Sequence, residues 1–167
     1  MQVLFVRHGI AEDPELAARE GRTERLRELT TEGIGKMKKG ALGLRRVLES
    51  IDIIATSPLV RALQTAEIVA GQYPNAKLVT LDLLAPGVNP DKLLSWLEEQ
   101  STSAIIALVG HEPDFSFLIG WMLADEQGNF IEVKKGSAIL LELHDTGGPG
   151  CAVLKWALAP KQLRSLE

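Results

Sequence analysis

Four side chains stand where phosphoryl chemistry would need them. Arg7 and His8 directly follow the apolar run at residues 3–6, Arg61 lies one turn into the helix predicted after residues 51–55, and His111 follows the apolar run at residues 104–109. Guanidinium forks match phosphate oxygens, and helix amino termini nearby add backbone donors and a positive dipole end. Positive neighbours disfavour an imidazolium, so Arg7 and Arg61 would leave His8 a bare ring nitrogen able to attack phosphorus. A backbone carbonyl accepting from the other ring nitrogen would fix the tautomer. His111, protonated beside a bound phosphoryl group, would stabilise the charge spreading over the equatorial oxygens during in-line displacement. That chemistry calls for no metal and no other cofactor.

These residues can meet only if the elements before them are neighbouring strands. Residues 3–6, 51–55 and 104–109 read as buried strands and 77–81 as a short strand, and the first, second and last of the four each end in a polar junction. Helices are predicted between them. One is capped by Thr30 and Thr31 and runs to about residue 50 with Met37, Leu42, Leu44, Val47 and Leu48 on its apolar face, although Gly33, Gly35, Gly40 and Gly43 weaken it. The next starts at Thr56-Ser57-Pro58, turns Leu63, Ala66, Ile68 and Val69 inward and ends near Gly71. Others span residues 90–99 and continue from Pro113 through Met122.

Alternating strands and helices imply parallel pairing through right-handed crossovers, with ligands at the carboxyl edge of the strands. Two late strands, 138–143 and 152–157, flank Thr146-Gly147-Gly148-Pro149-Gly150 and predict a hairpin. The fold class is therefore α/β: three layers, a mainly parallel sheet with helices on both faces, and an antiparallel edge hairpin. Residues 10–29, rich in Glu and Arg, read as a surface excursion.

The chain has 167 residues, 46% of them hydrophobic and 24% charged, which suits one domain over residues 1–167. Eighteen Lys and Arg against 22 Asp and Glu give a net charge of −4. An acidic balance cannot create the broad positive field that nucleic acid requires, so no nucleic-acid partner is expected. Cys151 is the one cysteine, which rules out an internal disulfide and a multi-cysteine zinc site. With no signal-length or membrane-length apolar stretch, a cytoplasmic protein without a membrane partner is expected. The oligomeric state is not legible.

Arg7-His8-Gly9, the stretch Ser57-Pro58-Leu59-Val60-Arg61-Ala62-Leu63-Gln64-Thr65-Ala66 and Val109-Gly110-His111 resemble, in order, the three signatures of the histidine phosphatase superfamily, also called phosphoglycerate mutase-like. The short length, Arg27-Glu28-Leu29-Thr30-Thr31-Glu32-Gly33, Leu84-Ala85-Pro86-Gly87 and Gly136-Ser137-Ala138 narrow the resemblance to the phosphohistidine phosphatase SixA-like branch. The resemblance implies a phosphoglycerate mutase-like fold and a phosphohistidine-bearing protein as substrate. It makes His8 the phosphoryl acceptor and Arg7, Arg61 and His111 the phosphate pocket, with Arg27 as a further phosphate contact.

Superfamily mutases and many of its small-molecule phosphatases use a carboxylic acid to protonate the leaving oxygen. Here Asp82 lies in the matching region, and Glu12, Asp13 and Glu112 stand near the proposed loops. A leaving imidazole, with a pKa of about 6.5, needs less help than an alkoxide. The small size leaves little sequence for a lid, so an open pocket is expected. The expected activity is protein phosphohistidine phosphatase, with two alternatives: a small phosphate-ester phosphatase, or a noncatalytic phosphoprotein-binding module. His144, Cys151 and the Lys134-Lys135 pair read as surface or strand residues, and Trp96, Trp121 and Trp156 as packing residues. Gly147 to Gly150 joins strands rather than leading into a helix, and is no phosphate loop.

Overall fold

In the computed structural model, which describes residues 1–125, 131–144 and 148–167, six strands form one sheet in the order β3-β2-β4-β1-β5-β6. They are β1 (Gln2–Arg7), β2 (Ile53–Thr56), β3 (Lys77–Thr80), β4 (Ile105–Gly110), β5 (Ala138–Leu143) and β6 (Ala152–Leu158). The first four pair in parallel, whereas β5 runs antiparallel to β1 and β6 antiparallel to β5. The mixed α/β sheet with a late antiparallel edge is the expected fold class. Thr146 and Gly147 of the predicted hairpin turn lie outside the described residues.

Period-two alternation in β1 divides the core. Val3 and Phe5 pack on one face with Ile106, Leu108, Phe115 and Leu118, under α4 (Pro90–Glu98) and α5 (Asp114–Ala124). Leu4 and Val6 pack on the other with Met37, Leu44, Ala62, Ala66 and Leu163, from α2 (Thr31–Val47), α3 (Val60–Ala70) and α6 (Pro160–Ser165). Both faces of β1 and β4 are thus covered, which explains their nearly continuous apolar runs. Trp121 belongs to the first cluster, and Trp96 and Trp156 pack at the margins. No helix among the described residues is long and apolar enough to cross a membrane.

Four expectations change. Leu42 and Val47 are 45% and 40% exposed, so they leave the apolar face of α2. That face is instead Gly33, Met37, Gly40, Ala41, Gly43 and Leu44, because α6, absent from the sequence reading, packs directly on Gly43 and the backbone of Ile10 packs on Gly33. The helix after β2 starts at Val60 with Leu59 as its cap, and the Ser57 hydroxyl, which accepts from the Leu59 N–H at 3.3 Å, also meets a partner outside the helix. Residues 10–29 are more than an excursion: they carry α1 (Pro14–Arg19) and a 3-10 turn (Glu24–Leu26), and bury Ala17, Arg27 and Leu29.

Candidate active site

Strand register delivers the cluster. Arg7 is opposite Gly110, and the His8 N–H donates to the Gly110 carbonyl at 3.1 Å, which sets His8 beside His111. On the other side of β4 the Ser57 N–H donates to the Val109 carbonyl at 2.9 Å, so the junction after β2 arrives at the same edge. Arg61, on the first turn of α3, then reaches back across the strand ends. Arg7, His8, Arg61 and His111 are therefore brought together, although they span more than a hundred positions of chain.

The nitrogens of His8 are differentiated. Nδ1 lies 2.7 Å from the Gly9 carbonyl, which can only accept, so Nδ1 carries the proton and Nε2 keeps its lone pair. The Arg61 Nε–H donates to that Nε2 at 3.3 Å. Burial pushes the His8 imidazole down to about 3, and the charges of His111, Arg61 and Arg7 reinforce it against the Gly9 hydrogen bond. His8 is thus neutral near pH 7. The Gly9 N–H donates to the Thr65 hydroxyl at 3.1 Å, and that hydroxyl donates to the Arg61 carbonyl at 2.7 Å. The loop after β1 is thereby tied to α3.

His111 sits with its ring centroid 5.1 Å from that of His8. Its Nε2 is 2.7 Å from the Ser57 hydroxyl, and its pKa is lowered to about 4, first by burial and then by the Arg61 charge. Arg7 donates through Nη1 to the Val133 carbonyl at 2.7 Å. Among the described residues, Arg7 Nε and His111 Nδ1 are buried with no hydrogen-bond partner. Such groups are costly when orphaned.

Arg27 joins the cluster through Glu24. The Glu24 carboxylate takes a two-pronged bond from Arg27, Nε and Nη2 each at 2.7 Å, while Arg61 Nη2 lies 2.9 Å from Oε1. The Arg61 Nη1 also donates to the Glu24 carbonyl at 2.9 Å. Segment 24–27 thus crosses the pocket, and His8, Arg61 and His111 are only 5%, 4% and 3% exposed. The expected open pocket is corrected: the site is covered in this state.

Asp82 is exposed at the start of a 3-10 turn (Asp82–Leu84) and makes no hydrogen bond or ion pair to the cluster. The other carboxylates are engaged: Glu12 pairs with Arg22, Asp13 caps α1, and Glu112 accepts from the Ser116 N–H at 3.0 Å. The sequence reading overlooked Glu24, Thr65 and the role of Ser57, whereas Lys134 and Lys135 are exposed as expected. The Lys135 pKa is lowered by partial desolvation and then by the charges of Arg7, Arg27 and Arg61. Only Glu24 left a signal, an acid three residues before Arg27.

Two histidines with Arg7 and Arg61 gathered at a parallel sheet edge, and Arg27 beside them, make a cationic cluster in an α/β protein, and comparison with known proteins narrows its class. The model of the histidine phosphatase superfamily (branch 1) matches residues 3–85. An uncharacterized protein of Picosynechococcus sp. (strain ATCC 27264 / PCC 7002 / PR-6) is 36% identical over 141 residues, 83% of each chain. The chain belongs to the histidine phosphatase superfamily. Among solved structures, the protein histidine phosphatase SixA complexed with tungstate superposes with a TM-score of 0.80 at 23% identity, covering 98% of this chain and 99% of that one. The putative phosphohistidine phosphatase SixA from Agrobacterium tumefaciens gives 0.74 at 20% identity, covering 95% and 97%. The fold is phosphoglycerate mutase-like, as the sequence resemblance implied.

Proposed function

We propose that the protein is a phosphohistidine phosphatase acting through a covalent phospho-His8 intermediate. The observation that carries the reading is the buried, neutral His8, whose Nδ1–H is held by Gly9 so that Nε2 presents its lone pair. In the first step Nε2 forms a bond to phosphorus as the P–N bond of the substrate breaks; the substrate ring, already protonated on its other nitrogen, keeps that electron pair and departs as neutral imidazole. Water then attacks phospho-His8, and the His8–phosphorus bond breaks to release inorganic phosphate. Arg7, Arg61 and His111 hold the phosphoryl oxygens, and Arg7 Nε and His111 Nδ1 find acceptors there. Arg27 makes a further contact. A phosphoryl dianion beside His111 raises its pKa, so the ring takes up a proton on binding.

The leaving group selects phosphohistidine. Among the described residues, Glu12, Asp13, Glu24 and Glu112 are all engaged, and Asp82 stands apart from the cluster. An imidazole leaves without a strong acid, whereas an alkoxide does not. A phosphoprotein substrate and a cytoplasmic setting belong to this reading.

Rapid-quench labelling with a 32P-phosphohistidine protein tests it. An acid-labile label at His8 that decays at the turnover rate is expected, with none in His8→Ala; unchanged turnover in that variant refutes the nucleophile. The covered pocket favours a second reading, a small phosphate ester, in which Asp82 would be the proton donor. Side-by-side kcat/KM on a phosphohistidine protein and on sugar phosphates separates the two.

A further inference from the structure

The two arginines nearest the covered face of the pocket already hold an anion. We propose that Glu24 is an internal stand-in for the phosphoryl group: its carboxylate occupies the guanidinium seat of Arg27 and Arg61, and a phosphoryl ligand must displace it.

The hydrogen bonds separate into those a ligand would leave in place, those that would give way and those it would take over. Arg27 Nη1 is committed to the Glu12 carbonyl and stays so, whereas the Arg61 Nη1 bond to the Glu24 carbonyl and the Arg61 Nε bond to His8 Nε2 give way, the first as segment 24–27 moves and the second as Nε2 turns to phosphorus. The remaining donors, Arg27 Nε and Nη2 and Arg61 Nη2, all point at one carboxylate. A planar carboxylate and one face of a phosphoryl group offer guanidinium forks the same pair of oxygens. Arg27 also lies close enough to depress the Arg61 pKa, so the empty seat would leave two cations facing each other beside a neutral His8. Glu24 removes that repulsion and holds both guanidiniums in place before a ligand arrives.

Exchange is feasible because the burial of the partners is unequal. The Arg61 side chain is 4% exposed but that of Glu24 is 56% exposed, so the carboxylate can swing into water without stranding a charge in the interior. A dianionic phosphoryl group brings more charge to the two guanidiniums than a carboxylate does. It also reaches the orphaned Arg7 Nε and His111 Nδ1, which Glu24 does not bond. Displacement of Glu24 frees segment 24–27 from Arg61 and uncovers His8. The same exchange would thus admit a bulky, protein-borne phosphohistidine to a pocket that is otherwise shut.

The inference rests on the phosphoryl reading of the pocket but is tested apart from turnover. Inorganic phosphate is titrated calorimetrically into the wild-type chain, Glu24→Gln and Glu24→Ala at one pH and salt concentration. Both variants bind phosphate about tenfold or more tightly than wild type, a difference of about 1.4 kcal/mol or more. In an Arg27→Ala background the gain from Glu24→Gln shrinks, because two of the three contested donors are gone. Glu24→Ala keeps the test open should the glutamine variant fail to fold. Equal or weaker phosphate binding by the variants, or no binding by any of the proteins, overturns the proposal. Loss of phosphohistidine turnover with the tightened phosphate binding intact would defeat only the assigned substrate.

Discussion

The Nε–H of Arg61 points at Nε2 of His8 across 3.3 Å, so the nitrogen proposed as nucleophile is held by the cation proposed to bind its target. That contact sets the Arg61 cation against the lone pair, where it adds to burial in keeping the ring neutral, and Nε2 gives the contact up when it attacks phosphorus. Arg61→Lys retains a positive charge but loses the planar fork that spans His8 and the phosphoryl oxygens. A fall of about 10²–10³-fold in kcat is expected, the usual loss of a preorganised donor to a transition-state oxygen. Steady-state kinetics at saturating substrate measures it, and near wild-type kcat in the lysine variant would detach Arg61 from the chemistry.

Ser57 supports His111 in the same way, with its hydroxyl 2.7 Å from Nε2 at a fully buried position. Ser57→Ala leaves that nitrogen without a partner and lets the ring reorient, so Nδ1 no longer meets the phosphoryl oxygen. A loss of about tenfold in kcat is expected, or about 1.4 kcal/mol of activation free energy. Stability falls by about 1–3 kcal/mol for the buried group left unsatisfied. Unaltered kcat with lowered stability would make Ser57 a packing residue.

Both histidines are buried in the neutral form with pKa values lowered to about 3 for His8 and about 4 for His111. The unfolded chain takes up protons at about 6.5, so it binds more protons than the folded one between that pH and about 4. Stability is therefore at its plateau above about pH 6.5 and declines as pH falls toward 4, by up to about 1.4 kcal/mol per pH unit for each histidine. Urea denaturation from pH 7.5 to 4.5 follows the slope, and His111→Gln reduces it. Inorganic phosphate raises both folded pKa values and makes the decline shallower. An identical slope in wild type and His111→Gln would show that other groups govern it.

The sheet and the four-residue cluster were legible because both rest on local patterns. Apolar runs ending in Arg7-His8, Thr56-Ser57 and Val109-Gly110-His111 mark strand ends, and parallel topology then forces those ends to one edge. Glu24 was not legible, because its significance lies in two guanidiniums from residues 27 and 61 that only the folded chain brings together. The inward face of α2 was misread for a related reason. Hydrophobic periodicity finds helix faces that bury side chains, whereas this one buries backbone against backbone, and its glycines look like helix weaknesses when read alone.

Those glycines separate into two kinds. A Cβ at Gly43 would lie 1.8 Å from the Leu163 carbonyl oxygen of α6, and one at Gly33 would lie 2.0 Å from that of Ile10, in the loop that follows His8. Neither obstacle is a side chain able to turn away, so α6 or the loop would have to move. Gly43→Ala and Gly33→Ala are each expected to lose about 2–3 kcal/mol, the upper range for overpacking. A Cβ at exposed Gly35 meets nothing within 4 Å, and Gly35→Ala should gain about 0.5–1 kcal/mol from helix propensity alone. Gly33→Ala should also reduce kcat, because displacing the Ile10 carbonyl disturbs the loop whose Gly9 carbonyl fixes the His8 tautomer; Gly43→Ala, distant from that loop, should lose stability alone. Urea midpoints and kcat for the three variants, measured together, decide the matter: a stabilised Gly43→Ala or a destabilised Gly35→Ala would contradict the close backbone packing of α2.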